Sequence, residues 1–263
     1  MRVLFDWGPA GADAVAAEAS VVAVVDVLSF TTTLTVAADR GIAVRPYPWH
    51  DETAEDFARR HDAVLAVGRR AAGPGQISLS PATVARSTGV RRLVLPSPNG
   101  ATISARLAAG ATVVGVSLRN APAAASWVRE RLGDRGTVAV VASGERWPDG
   151  SLRPAVEDLW GAGSFLHHFV RGTAPGLTPE AGAALAAYRM VADDLDAALR
   201  DCVSGRELHD LGFPQDVATA AEAGASEAVP TLRDGWYVTD RSAPVIPPGD
   251  VPVRGMGHPR RRP

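Results

Sequence analysis

Asp26 and the hydroxyl residues that follow it have the side chains best suited to chemistry. Asp26 ends an apolar run, and Ser29, Thr31 and Thr32 follow within a few residues. A carboxylate there can hold a hard divalent cation, and the free amide hydrogens at a helix N-terminus accept an anion. The pattern therefore suits a metal ion and a phosphate. It is equally explained by an Asp26 that caps a turn and threonines that merely start a helix.

Three later points where a predicted strand ends also carry polar residues. They are Asn99-Gly100, Asn120 and Glu145. In open α/β sheets ligands bind beyond the carboxyl ends of the strands, so we expect these residues to join Asp26 in one site. Structural explanations exist here too, because Asn-Gly is a common turn dipeptide and asparagine often caps a helix.

Two acids, Glu157 and Asp158, open an otherwise apolar helical segment. They can complete a metal shell, or they can complement the helix macrodipole. Arg153 precedes this segment and can neutralise an oxyanion. The histidines have no metal-ligand spacing, and neither a phosphate-binding P-loop nor a dinucleotide fingerprint occurs.

Short apolar strands alternate with helical patterns along the first half of the chain, and long helical patterns dominate the second half. This predicts an α/β fold with a largely parallel sheet and a helix-rich second half. A turn is predicted at 6–9 and a long loop at 68–81. The predicted strands are 2–5, 21–25, 42–46, 63–67, 92–95, 111–116, 137–142 and 229–238. The predicted helices lie before Gly41, at 51–61 with Asp51 as cap, around Ile103, and at 121–132, 155–170, 179–199 and 203–211.

The overall composition is that of an ordinary globular protein. Of 263 residues, 46% are hydrophobic and 21% charged, and the net charge of −2 favours no nucleic-acid partner. One cysteine excludes an internal disulfide and fits a reducing compartment. No apolar run could span a bilayer or form a signal peptide, so we expect a cytoplasmic protein. Residues 241–263, rich in arginine and proline, are predicted to be a disordered tail.

Several motifs, taken in order, resemble one known family. They are DVLSFTTT from Asp26, PNGA from Pro98, GERWPDGSLRPAVEDLWGAG from Gly144 and SGRELHDLGFPQDV from Ser204, with Asn120 standing before a helix between the second and third. Together they resemble the 2-phosphosulpholactate phosphatases, the ComB-like family, over residues 21–237.

The resemblance implies a three-layer α/β/α domain over residues 1–240, or alternatively two intertwined α/β halves. It also implies Mg²⁺-dependent hydrolysis of a phosphate monoester. The family substrate is 2-phosphosulpholactate, which is converted to sulpholactate and phosphate on the route to coenzyme M. A small anionic phosphate ester is thus the expected partner, with neither nucleic acid nor membrane, and a homo-oligomer is left open.

Site roles follow from the resemblance and from the chemistry of each side chain. Asp26 is expected to bind Mg²⁺ or to attack phosphorus, and Glu157 or Asp158 to complete the metal shell. Residues expected to contact the substrate are Ser29, Thr31, Thr32, Asn99, Gly100, Asn120, Glu145, Arg153 and Arg206, the arginines neutralising its acidic groups.

Four positions depart from the family pattern. Ser29 stands where an arginine is usual, Arg69 replaces an acid, Leu79 replaces an asparagine and Ala101 replaces a residue with a hydroxyl. Each change removes a group that can bind an anion or a metal. The alternative to a phosphatase is therefore a non-catalytic member that binds a phosphorylated or sulfonated metabolite.

Overall fold

The protein is an α/β fold built on a large, mostly parallel sheet, as the sequence predicts. The computed structural model describes residues 1–47, 53–108, 110–133, 136–171 and 176–239. The predicted cap Asp51 and the predicted tail 241–263 lie outside these residues.

The strands of the described residues are short. They are β1 (Arg2–Trp7), β2 (Val21–Val25), β3 (Ala43–Tyr47), β4 (Val64–Leu65), β5 (Arg92–Pro96), β6 (Thr112–Val116), β7 (Thr137–Ala142), β8 (Glu145–Arg146), β9 (Leu152–Arg153), β10 (Gly176–Leu177), β11 (Pro230–Arg233) and β12 (Trp236–Thr239).

Helices connect most of these strands and fill the second half. They are α1 (Gly8–Ala16), α2 (Phe30–Asp39), α3 (Ala54–Arg60), α4 (Pro81–Arg86), α5 (Gly100–Leu107), α6 (Ala121–Leu132), α7 (Val156–Phe169), α8 (Pro179–Val191), α9 (Leu195–Asp201), α10 (Val203–Asp210) and α11 (Pro214–Ala221).

The main sheet joins two parallel sets of strands through an antiparallel hairpin. Its order is β10-β1-β7-β2-β6-β11-β12-β3-β5-β4. The first five strands are mutually parallel, and so are the last three. The hairpin β11–β12 pairs antiparallel with β6 on one side and with β3 on the other. A separate two-stranded ribbon, β8–β9, follows β7.

The central strand β2 is buried on both faces, which accounts for its unbroken apolar sequence. Val21, Ala23 and Val25 face a core that includes residues of α6, α7 and α8. Val22 and Val24 face a second core, with residues of α1, α2 and α5. Helices therefore cover both faces, and the three-layer α/β/α arrangement expected from the resemblance is present.

The sheet curls around its second core. Asp26 follows β2 and Gly100 follows β5, five positions apart in the strand order, yet the Gly100 amide nitrogen lies 2.9 Å from Asp26 Oδ2. In a flat sheet five strand spacings would separate the two by about 24 Å. The curl therefore brings loops of the two parallel sets together.

Some predicted elements are wrong. The predicted turn at 6–9 is instead the end of β1 and the start of α1, since a helix accepts Pro9 in its first turn. The predicted buried strand 63–67 is the two-residue edge strand β4, with Val64 39% exposed. The predicted single strand 229–238 is the hairpin β11–β12, turned at Asp234-Gly235.

Short 3₁₀ turns, which the sequence does not predict, interrupt two further segments. The predicted loop 68–81 contains a 3₁₀ turn at Arg69–Ala71, and α4, absent from the prediction, begins at Pro81. The predicted helix 179–199 is divided by a second 3₁₀ turn at Ala192–Asp194. No helix of the described residues combines the length and apolarity needed to cross a membrane.

Candidate active site

Asp26 bridges the N-termini of two helices. Its carboxylate is buried, with Oδ1 accepting a hydrogen bond from the Phe30 amide at 3.1 Å and Oδ2 one from the Gly100 amide at 2.9 Å. These amides are the first of α2 and α5 and would otherwise lack partners within their helices. The carboxylate is therefore held in one orientation.

The hydroxyl groups after Asp26 differ in their surroundings. Thr31 Oγ1 accepts from the Asp26 amide at 3.0 Å and donates to the Asp26 carbonyl at 2.7 Å, while Thr32 Oγ1 donates to the Val27 carbonyl at 2.8 Å. Both threonines are fully buried and hold the loop in shape. Ser29, at the N-cap position of α2, makes no capping bond, and it lines a cavity.

Asn99 and Glu145 meet across the site. Asn99 Nδ2 donates to Glu145 Oε2 at 2.9 Å. Asn99 precedes α5. Glu145 begins strand β8 of the ribbon and is paired there with Arg153 of β9. Two loops that are 46 residues apart in sequence are thereby joined beside Asp26.

The two acids of α7 occupy different surroundings. Asp158 accepts from the Val27 amide at 2.7 Å and from the Gly144 amide at 2.8 Å, so it ties the loops after β2 and β7 together. Glu157 is only 2% exposed and lies against the Cys202 thiol, whose pKa burial and this carboxylate raise to about 12.

These carboxylates form a crowded acidic group. Burial raises the pKa of Asp26 to about 6, with repulsion from Glu157 adding to it. The pKa of Glu145 is raised to about 7, by burial first and by the nearby charges of Asp26 and Glu157 second. The pKa of Asp158 is raised well above its usual value by burial first and by Asp26 and Glu157 second. The group therefore holds negative charge that a bound cation would relieve.

A cavity of about 360 Å³ opens on one side of this group, a volume suited to a small ligand. The residues that line it are Asp26, Leu28, Ser29, Phe30, Arg69, Leu79, Leu95, Pro96, Ser97, Pro98, Asn99 and Glu145. We call it the Asp26 cavity.

A second, larger cavity of about 740 Å³ shares Glu145 with the Asp26 cavity. Glu157 and Arg153 also line it. Arg153 pairs with Glu207 at 3.1 Å and lies over the Trp147 ring at 5.8 Å. Arg153 thus shares the second cavity with Glu145, whereas Asp26 lines only the first.

Two residues expected in the site are elsewhere. Asn120 is fully buried, accepts from the Ser117 amide at 2.9 Å and donates to the carbonyls of Gly115 at 3.1 Å and Ala228 at 3.0 Å. Arg206 of α10 is exposed and donates to the carbonyl of Asp201, the last residue of α9. Neither residue lines the two cavities.

Sequence reasoning missed Arg69 and Asp216. The Arg69 side chain lines the Asp26 cavity, donates from Nη2 to Ser29 Oγ and forms an ion pair with the buried Asp216 at 2.8 Å. Two signals exist in the sequence: the departures at positions 29 and 69, which prove to be in contact, and the SGRELHDLGFPQDV motif, which contains Asp216.

A ready-made metal cage is absent from the described residues, since no three His, Cys, Asp or Glu side chains surround one point there. The acidic group nevertheless offers hard oxygen donors. Mg²⁺ usually retains several waters and takes only one or two carboxylates from the protein, so these donors fit it without a cage.

Comparison with known families gives a match over most of the chain. The family model described as 2-phosphosulpholactate phosphatase matches residues 10–235 of the 263-residue chain. The matched range contains both cavities and all the carboxylates described above.

Proposed function

Because this chain belongs to the 2-phosphosulpholactate phosphatase family, we propose that it removes phosphate from a small anionic ester bound in the Asp26 cavity. The family consists of phosphoric monoester hydrolases that depend on a metal, and the chain is a phosphatase. The observation that carries the proposed site is the acidic group facing a cavity of substrate size. The substrate we propose first is 2-phosphosulpholactate.

We assign Mg²⁺ to the acidic group, with Asp26 and Glu157 as its carboxylate ligands. Asp26 lines the cavity, and each of its oxygens keeps a second lone pair beyond the main-chain hydrogen bond. Asp158 lines neither cavity and fixes two loops, so we assign it a positioning role. When bound, Mg²⁺ neutralises phosphate charge and lowers the pKa of coordinated water.

The remaining cavity residues would receive the ester. Asn99 has a second amide hydrogen beyond the one given to Glu145 and would donate it to a phosphate oxygen at the opening of α5. The Ser29 hydroxyl donates to the Leu79 carbonyl at 3.2 Å, so it would bind a phosphate oxygen at the opening of α2 by exchanging that bond. The Gly100 amide is engaged by Asp26, so its role is to orient that carboxylate. Arg153, which lines the second cavity with Glu145, would face the acidic groups of the departing alcohol.

Glu145 would act as the general acid or base. It lines both cavities, and Asn99 holds one of its oxygens. Its raised pKa of about 7 lies near neutral pH, where a carboxyl group can both give and take a proton.

Phosphate release by the purified protein tests this function. 2-Phosphosulpholactate and a panel of other small phosphate esters would be incubated with Mg²⁺ or with a chelator. We expect release only with the metal, and fastest from an ester that also bears an acidic group. If no ester releases phosphate, but inorganic phosphate still raises the Tm, the chain would be a binding protein instead.

An Asp26→Asn variant tests the site within the same assay. It removes a charge at the metal and is expected to lower kcat by about 100-fold or more. Asp13→Asn, an exposed acid paired with Arg106 on the protein surface, is the matched control and should keep wild-type activity. A folded Asp26→Asn protein with full activity would remove Asp26 from the mechanism.

A further inference from the structure

Arg69 stands out in the Asp26 cavity because of its charge. Among the described residues that line this cavity it is the one cation, and the carboxylates of Asp26 and Glu145 line the same cavity. It is close enough for its charge to lower the pKa of Asp26 against the larger effect of burial. A dianionic phosphate group entering the cavity needs positive charge that the acids cannot give.

The Arg69 guanidinium is held in place by a buried partner. Asp216 on α11 is fully buried, and its Oδ2 accepts from Arg69 Nε at 2.8 Å. Its Oδ1 accepts from Ser80 Oγ at the end of the same loop. A buried carboxylate left without such partners is costly, so this pair is firmly maintained.

The pairing leaves part of the guanidinium available, and Arg69 lines both the Asp26 cavity and a neighbouring cavity that Gln76 and Phe213 also line. Nε is used by Asp216, and Nη2 donates to Ser29 Oγ. Within the part of the chain that the structure describes, Nη1 has no hydrogen-bond partner. The ring of Phe213 lies 6.0 Å from the guanidinium carbon and flanks it. Nη2 has a second hydrogen beyond the one given to Ser29, so this hydrogen and those of Nη1 can reach two oxygens of a phosphate group.

We propose that Arg69 binds the phosphoryl group of the substrate and that Asp216 is the positioning residue that aims it. The assignment rests on the proposed phosphatase function and adds a residue pair to it. The phosphoryl group is favoured over a carboxylate or sulfonate because Arg69 contacts Ser29, three residues after Asp26 at the opening of α2. The 68–80 loop and α11 thereby become part of the active site.

Inhibition by the two products distinguishes the possible anions. For Arg69→Ala we expect the inhibition constant for inorganic phosphate to rise about 10- to 100-fold, with that for sulpholactate nearly unchanged. Added guanidinium ion should restore part of the lost activity, which a merely structural residue would not show. Arg69→Lys should keep the charge but lose the two-point contact. Its inhibition constant for phosphate should therefore lie between those of the wild type and Arg69→Ala.

Asp216→Asn tests the positioning role. It is expected to raise KM and the phosphate inhibition constant while changing kcat less, because the Arg69 guanidinium remains present but is no longer held in one orientation. If this variant does not fold, Arg69→Ala with guanidinium rescue still decides the proposal. Arg119→Ala is the matched control, because Arg119 is a similarly buried arginine paired with Glu222 of the segment after α11 and lines neither cavity.

Each outcome has one meaning. If the wild-type protein neither turns over an ester nor binds inorganic phosphate, the phosphatase function fails and this assignment with it. If the wild type is active while Arg69→Ala keeps normal phosphate inhibition, or shows no rescue, the assignment alone is overturned. A selective loss of sulpholactate inhibition would likewise overturn it, since Arg69 would then bind the other end of the substrate.

Discussion

The loops after the neighbouring parallel strands β2 and β6 are built alike and differ in use. Each leads into a helix through a polar residue, Asp26 in the first and Asn120 in the second. Both side chains are buried, and both accept hydrogen bonds from main-chain amides. The amide of Asn120 is neutral and fully occupied, whereas Asp26 lines a cavity among other acids.

The difference shows what separates a structural polar residue from one available for chemistry. Burial and hydrogen bonding are common to both loops and therefore do not identify a site. Of the two, the loop of Asp26 alone has unrelieved charge beside open space. Three predictions test this contrast.

Gly100→Ala should have the largest effect, because it disturbs Asp26 without changing any charge. A Cβ atom at this position would lie 2.7 Å from Asp26 Oδ2 and would also clash with the Phe30 ring. We expect phosphate release to fall by about 100-fold as the carboxylate is pushed from its orientation. Steady-state kinetics with the preferred ester would measure it.

Gly182→Ala is the control for this substitution. Gly182 lies inside α8, and a Cβ atom added there would meet no neighbouring group within 4 Å. Alanine at this position should therefore keep activity and add about 0.5–1 kcal/mol of stability. Normal activity in Gly100→Ala would mean that the exact placement of Asp26 is unimportant.

Asn120→Ala should affect stability alone. It deprives three buried main-chain groups of their partners, which we expect to lower the free energy of unfolding by about 2–4 kcal/mol. The kcat of the folded fraction should remain near the wild-type value. Denaturant unfolding and kinetics at low temperature would check both, and a selective loss of kcat would return Asn120 to the site.

The smallest expected effect is that of pH on the stability of the protein, measured in the presence of a chelator. The folded-state pKa values of Asp26 and Glu145 are raised to about 6 and about 7, so the folded protein binds these protons more tightly than the unfolded chain. Stability from this source is present at low pH and is lost as pH rises from about 4 to about 7. We expect this loss to appear as a fall in Tm as the pH is raised.

Added Mg²⁺ should recover part of that loss at neutral pH, because it binds the ionised acids of the folded state. Glu145→Gln should have a shallower pH dependence than the wild type in chelator. If both proteins show the same slope, the pH effect arises elsewhere in the molecule.

Much of the fold could be predicted because local pattern and burial agree. The apolar run of β2 and the boundaries of α6 and β7 follow directly from composition and periodicity. The start of α1 could not be predicted, since Gly8-Pro9 is as typical of a turn as of a first helical turn. The position of β4 at the sheet edge depends on strand order, which no local pattern contains.

The site residues that could be predicted are acids that lie within the motifs of the family. The acids Asp26, Glu145 and Glu157 were identified in this way, and the structure gathers them. Arg69 and Asp216 are 147 residues apart, so only tertiary structure pairs them. Ser29 and Arg69 look in the sequence like two independent losses, but their contact means that a guanidinium still reaches the same place from another loop.

The hairpin β11–β12 also sets the order in which the molecule can be completed. It is the last part of the main sheet to leave the ribosome, yet it joins β6 to β3 in the middle of that sheet. Until residues 230–239 emerge, the nascent chain has two unpaired strand edges that face each other without a partner. Such edges promote association with other chains. Growing polypeptides should therefore need shielding by chaperones until residues 230–239 have emerged.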